Sequence, residues 1–161
     1  MAKLKFTCHI CDHKSKSEEE IRECLRCGAD MVNTGAEYVE KKSYGPMISK
    51  ALPKESGQGY FFLTNKRLIF IKDSNTGTGA MMGGLIGAAI EAGINKAQGG
   101  NKLGCSIDRG DIQSATECKV ALLSKGIELT TRDGNSYKVK MRSWKEWKET
   151  LIGLAAYGSS L

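Results

Sequence analysis

Two CxxC pairs constrain the opening of this 161-residue chain more than any other feature: Cys8-His-Ile-Cys11, twelve residues, then Cys24-Leu-Arg-Cys27. Two residues between cysteines let a tight turn aim both sulfurs at one point, with backbone N–H groups turned toward the thiolates. Two such turns supply four thiolates, the closed tetrahedral set of a structural zinc site. The competing readings are unliganded buried cysteines or a redox pair. Asp12 and Gly28 follow the pairs, where the turn is expected to end in positive φ; glycine adopts it freely and aspartate tolerably. Ser17-Glu18-Glu19-Glu20 reads as a capping box opening a short helix between the pairs. So short a segment cannot bury a useful apolar core, and metal is expected to supply much of its folding energy.

A rubredoxin-like iron site would use the same ligands, but the short spacer and the redox inertness of zinc favour zinc. Four filled positions leave none for water or substrate, so such a zinc is not catalytic. His9 and His13 flank the ligands; each could replace a sulfur, or lie as a surface histidine in a polar loop. Residues 1–32 resemble a zinc ribbon. That resemblance speaks to fold rather than partner, because ribbons bind nucleic acid or proteins.

Charge divides the chain at the same place. Residues 1–32 carry six basic and six acidic side chains, so the net charge of +6 belongs wholly to residues 33–161. With four thiolates on one zinc the opening segment falls to about −2, which argues against nucleic acid as its partner. The opening MAKLKFTCHICDHK has no apolar core of the secretory kind. No run of about 20 apolar residues exists either, so a conventional membrane span is not expected. Reduced cysteines in such a chain point to the cytoplasm.

Residues 33–161 read as strands followed by one helix. Gly59-Tyr-Phe-Phe-Leu-Thr64, Asn65-Lys66 and Arg67-Leu-Ile-Phe-Ile-Lys72 form a hairpin pattern: two apolar, β-rich runs about a polar turn. Residues 107–112 lead into a strand through 120–123, with a turn expected at Lys125-Gly126. Ile127-Glu-Leu-Thr-Thr131 alternates with period two, and Asp133-Gly134 marks a turn into Tyr137-Lys-Val-Lys-Met141. Ser143-Trp-Lys-Glu146 is a second capping box, opening a helix to about Ala156. Trp144, Trp147, Leu151 and Leu154 lie on one face of that helix, expected to pack on the sheet.

Gly35-Ala36-Glu37, the hairpin from Gly59 to Phe70 and residues 107–112 resemble the GRAM and bacterial PH-like domains. The shared features are a glycine-glutamate lead-in, a "LTNKRLIF" hairpin, an "I-x-x-x-D-I" strand pair and a final helix. The resemblance implies an α+β fold: a small, strongly bent antiparallel β-barrel capped at one end by the C-terminal helix. It also implies a binding module for anionic lipid or protein, without a catalytic centre. In that family the arginine at position 67 serves the fold.

A Gly-rich insert, residues 75–101, departs from the family pattern. The stretch 74–90, SNTGTGAMMGGLIGAAI, carries no charge, and small residues recur every fourth position from Gly79 to Ala92. A flexible glycine loop, a self-associating helix over 79–92 and a wedge into a membrane surface compete as readings. A dinucleotide loop does not fit, because Gly77-Thr-Gly79-Ala-Met-Met-Gly83 lies among antiparallel strands and lacks the acidic residue about 20 positions on.

Lys138, Lys140 and Arg142 share one face of the last strand while Tyr137, Val139 and Met141 face inward; Lys145 and Lys148 extend the stripe onto the helix. With Lys66 in the hairpin turn they are the candidate contacts to lipid or partner, or else a solvated basic face. Cys105 and Cys118 belong to no motif and are expected as buried free thiols. Both histidines lie in the cysteine segment, no Ser/His/Asp set appears, and Asp108 and Asp111 read as turn residues. The expectation is a non-enzymatic, cytoplasmic, membrane-peripheral adaptor: a zinc ribbon (1–32) joined to a GRAM/PH-like domain (33–161). The rivals are a nucleic-acid-binding ribbon and a protein that self-assembles through the insert.

Overall fold

The computed structural model describes residues 6–15, 22–51, 53–73, 102–120 and 124–158. The insert and the capping box at 17–20 lie outside these residues. Two short strands, β1 (Phe6–Thr7) and β2 (Lys14–Ser15), pair antiparallel around the first cysteine pair. Seven further strands follow: β3 (Val39–Ser49), β4 (Gly57–Thr64), β5 (Arg67–Lys72), β6 (Lys102–Asp108), β7 (Ile112–Val120), β8 (Ser124–Thr131) and β9 (Ser136–Val139). The helix α1 (Trp144–Gly158) closes the described chain.

The seven strands form one antiparallel sheet in the order β6-β5-β4-β3-β9-β8-β7. It is not closed into a barrel: β6 and β7 stand at opposite edges, joined by a turn of 3₁₀ helix, Arg109–Asp111. The sheet nevertheless curls. Phe70, Ile107, Met47, Val139, Leu129 and Ile112, drawn from β5, β6, β3, β9, β8 and β7, belong to one buried cluster. Laid flat, seven strands would span about 29 Å between the outer two, too far to share side-chain contacts. Trp147, Leu151 and Ala155 of α1 complete the cluster, with Leu154 packed against it. Trp144 is only half-buried; Lys148 Nζ lies 5.9 Å from its ring. The helical apolar face expected from the sequence is thus shifted by one residue toward Ala155.

Ser143 starts α1, but not through an extended N-cap backbone. Its φ is +55°, and its carbonyl accepts the amides of Glu146 and Trp147 at 3.0 and 3.4 Å. Asp133-Gly134 turns as expected, with Gly134 at φ +85° and its amide donating to the Thr131 carbonyl. Lys125-Gly126 is not a turn. Both lie in β8, paired with Lys119 and Cys118. Gly126 is a close-approach position: a Cβ there would lie 2.5 Å from the Val139 carbonyl oxygen and 2.4 Å from a Val120 methyl.

The β4–β5 hairpin is apolar on both faces, which explains why its sequence runs apolar without alternating. Phe61, Leu63, Leu68 and Phe70 face the main cluster, with Phe61 opposite Phe70 and their rings 4.8 Å apart. Phe62, Ile69 and Ile71 face the other way and are covered by the cysteine segment.

The hairpin turn is latched by the residues just ahead of β3. Arg67 donates from Nε to Glu37 Oε1 at 2.8 Å and from Nη2 to Oε2 at 3.1 Å. The Thr64 hydroxyl donates to Glu37 Oε1 at 2.8 Å and accepts the amides of Lys66 and Arg67. Asn65 closes the latch, its Oδ1 accepting the Tyr38 amide and its Nδ2 donating to the Ala36 carbonyl. Burial works against the Glu37 charge, yet the bonds from Arg67 and Thr64 outweigh it and hold its carboxyl below the ordinary glutamate value. The arginine therefore serves the fold.

Removing one partner strands the other charge, so Glu37→Ala is expected to cost about 3 kcal/mol in urea melts. Glu37→Leu with Arg67→Met should recover most of that loss. Because the folded-state value is lowered, the charge stabilises at neutral pH. The gap between wild type and Glu37→Ala should therefore shrink only as pH falls below the ordinary glutamate range.

Candidate metal centre

The two cysteine pairs are built alike, down to their hydrogen bonds. In the first, the Cys8 carbonyl accepts the Asp12 amide at 3.0 Å, and the Cys8 amide donates to the His13 carbonyl at 2.8 Å. In the second, Cys24 does the same with Gly28 at 2.7 Å and Ala29 at 2.9 Å. Asp12 and Gly28 take φ of +56° and +67°, as their places after the pairs require. Each turn is closed by a small antiparallel pairing: β1 with β2 around the first, a Glu23–Asp30 bridge around the second. The Ile10 amide points at Cys8 Sγ, 3.4 Å away.

The result is four buried sulfurs, Cys8, Cys11, Cys24 and Cys27, all within 4.8 Å of one another. Cys8 and Cys27 are 3.6 Å apart at Sγ, and Cys11 and Cys24 are 3.7 Å apart. Such a set could hold a metal ion. As bare thiols the four share their protons. Hydrogen bonding from Cys11 holds Cys8 well below the ordinary thiol value and lowers Cys24 to about 6. Cys11, bonded to Cys24, and Cys27, bonded to Cys11, are raised. Four thiols packed this closely compete for the same protons, and a cation bound at the centre would stabilise them all as thiolates.

His9 and His13 do not join the set. His9 is half-buried and its Nε2 lies 3.1 Å from the Glu37 carbonyl oxygen, which ties the first turn to the strand lead-in. Arg67 lies beside the second turn: a Cβ on Gly28 would be 3.7 Å from its Nη1. Its guanidinium, raised further above its usual value by Glu37 against the cost of burial, also feels the charge of Cys27.

The segment sits on the sheet rather than beside it. Cys8, Ile10, Cys11, Cys24, Cys27 and Ala29 share one buried cluster with Phe62, Ile69 and Ile71. Next to this contact lies a cleft of about 400 Å³, lined by Cys11, Asp12, Arg26, Lys42, Ser43, Tyr60, Phe62 and Ile71. Arg26 and Lys42 escape sequence reasoning, since nothing in the spacing of the chain says they meet. The one sequence signal for a site here is the unbroken apolar hairpin, which needs a cover on its outer face.

The basic stripe is dispersed. Tyr137, Val139 and Met141 are buried as the alternation predicts, with Lys138 and Lys140 half-buried between them. Lys138 stands opposite Glu128 across the β8–β9 ladder. Lys148 is paired with Glu117 at 3.1 Å. Arg142 and Lys145 are exposed, as is Lys66 in the hairpin turn. Cys105 and Cys118 are each half-buried, and Cys105 Sγ lies 3.4 Å from Met47 Sδ. Among the described residues no helix is long and apolar enough to cross a membrane.

No family model matches the chain, and no curated protein does. Among solved structures it is similar to the crystal structure of the C-terminal domain of an unknown protein from Leishmania infantum. The two share 12% identity over 78% of this chain and 90% of that one, with a TM-score of 0.46. A likeness this loose carries no argument about fold or function.

Removing the metal should uncover the outer face of the hairpin while sparing the main cluster. Treatment with a strong chelator, or Cys24→Ser, is expected to abolish metal binding and make residues 1–32 protease-sensitive. A hydrophobic dye should then bind over Phe62, Ile69 and Ile71, while the near-UV signal of Trp147 persists.

Proposed function

We propose that this chain is a non-enzymatic binding adaptor, cytoplasmic and peripheral at membranes. In this reading a structural zinc ribbon is joined to a GRAM/PH-like domain that contacts anionic lipid or protein. The observation that carries it is the seating of the four-cysteine centre on the outer face of β4–β5, which makes the metal part of a rigid contact surface. Zinc suits the centre because tetrahedral zinc–sulfur bonds of 2.3 Å put the sulfurs about 3.8 Å apart. The observed separations of 3.6 and 3.7 Å lie close to that. Four thiolates also fill the tetrahedron, so the ion would organise the fold without binding substrate.

Lys66, Lys138, Lys140, Arg142 and Lys145 are the cations available for an anionic surface, with Lys148 engaged by Glu117. Each free cation near an anionic bilayer contributes about 1 kcal/mol, so several together give weak, salt-sensitive attachment.

Two measurements test the reading. Metal analysis of protein purified without added metal should find one zinc per chain and no visible iron–thiolate colour. Sedimentation with anionic vesicles should pull the protein down at low salt, and neutral vesicles should not. Equal sedimentation with both kinds sinks the lipid version of the adaptor.

A further inference from the structure

The cleft between the cysteine segment and the outer sheet face has the chemistry of a small-anion site. Its volume of about 400 Å³ lies in the range of ligand pockets. One wall is apolar and aromatic, with Tyr60, Phe62 and Ile71; Tyr60 packs edge-on against Tyr44, ring centroids 4.8 Å apart. Two cations stand at the cleft, Arg26 from the second cysteine turn and Lys42 from β3.

Arg26 carries the argument. Its Nε is buried and has no hydrogen-bond partner among the described residues. Because the protein leaves Nε unbonded, that atom does not hold the half-buried guanidinium in place, and the group can turn its other nitrogens to a ligand oxyanion in the cleft. The planar fork of arginine also suits phosphate and carboxylate oxygens. Lys42 pairs with Asp12 at 3.0 Å, but both side chains are half exposed or more, 52% and 70%. Such a pair is worth at most about 1 kcal/mol, so Lys42 is free to turn to a stronger anion. A second groove, sharing Lys42, Ser43 and Tyr60, continues to Lys41, Arg142 and Glu146. The joined surface holds four cations, Arg26, Lys41, Lys42 and Arg142, against two acids, Asp12 and Glu146.

We infer that this cleft binds a phosphomonoester carried on an apolar or aromatic body. Arg26 and Lys42 hold the phosphate, and Tyr60, Phe62 and Ile71 hold the body. A phosphomonoester bears about −1.5 to −2 charges at pH 7, matching the two cations, where a carboxylate would match one. This rests on the adaptor reading above and moves its anion contact from the β9–α1 stripe to a defined cleft.

The test uses the full chain with its metal bound, and phenyl phosphate as a soluble probe, titrated by NMR or calorimetry. Arg26→Gln and Lys42→Ala are each expected to weaken binding about tenfold. Phenol and benzoate should bind less tightly than phenyl phosphate, and Lys119→Ala, an exposed cation on β7 away from the cleft, should change nothing. Metal content is measured on every variant, because Arg26 could instead serve only to offset the thiolate charge. Loss of metal from Arg26→Gln with phenyl phosphate affinity retained overturns the cleft. A second arm uses phosphatidylcholine vesicles carrying phosphatidic acid, or phosphatidylserine at equal surface charge.

A preference for phosphatidic acid that Arg26→Gln and Lys42→Ala abolish identifies the source as a lipid headgroup. Phenyl phosphate binding without vesicle binding assigns the cleft to a soluble phosphate ester and overturns the peripheral-membrane reading alone. Vesicle binding insensitive to both variants, with no phenyl phosphate binding, overturns the cleft and leaves the basic stripe. Binding of neither probe overturns both.

Discussion

Phe62, Ile69 and Ile71 project from the β4–β5 hairpin away from the main cluster, and the four-cysteine segment is what keeps water from them. Fully burying side chains of this kind is worth about 1.5–3 kcal/mol each, and a whole domain is stable by only about 5–15 kcal/mol. An uncovered outer face would therefore forfeit a sizeable share of the stability. The dependence runs both ways. The cysteine segment has few apolar side chains of its own, and two of its most buried, Ile10 and Ala29, lie in the cluster that the hairpin completes. The cysteine segment and the sheet each supply apolar cover that the other lacks.

The latch at Glu37 joins the same two parts through polar contacts. Its carboxylate holds Arg67, its carbonyl meets His9, and Thr64 links it to the hairpin turn. Arg67 in turn stands beside Gly28 of the second cysteine turn. The glycine-glutamate lead-in and the Thr-Asn-Lys-Arg turn thus have a physical explanation. One buried ion pair ties the hairpin turn to the strand lead-in, close beside the cysteine turns. A pair of this kind yields little net stability over an apolar substitute, but breaking half of it is expensive. It serves best as a locator.

Much of this was legible in the sequence because it depends on local rules. The CxxC spacing brought four cysteines together, positive φ at Asp12 and Gly28 followed from turn geometry, and the alternation of residues 137–141 separated buried from half-buried side chains. What escaped depends on pairings between distant residues. Lys125-Gly126 looks like a turn by composition, yet Gly126 is needed where β8 passes close to Val139 and Val120. The resemblance drawn from the sequence implied a closed, strongly bent barrel; the sheet curls but does not close, since nothing local says whether β6 and β7 will meet. The apolar hairpin indicated burial without saying that its second face would be covered by the cysteines. Arg26 and Lys42 come together only because that covering happens.

That last meeting also governs how the metal centre relates to its surroundings. Four thiolates about a dication would leave a charge near −2 in a largely apolar setting, to be offset nearby. Arg67 does this from the Glu37 side, but most of its charge is already spent on that carboxylate. On the cleft side Arg26 sits between two ligands in the chain, and Lys42 shares a lining with Cys11. Cations placed only to balance thiolates would be expected to bond to sulfur or to protein acceptors. Arg26 instead keeps Nε buried without a partner among the described residues, and Lys42 keeps an exposed aspartate and the face of Phe62, 5.5 Å from its Nζ. Balancing metal-bound thiolates would account for positive charge at the cleft, but not for its apolar and aromatic wall of Tyr60, Phe62 and Ile71, which an oxyanion carried on an apolar body would use.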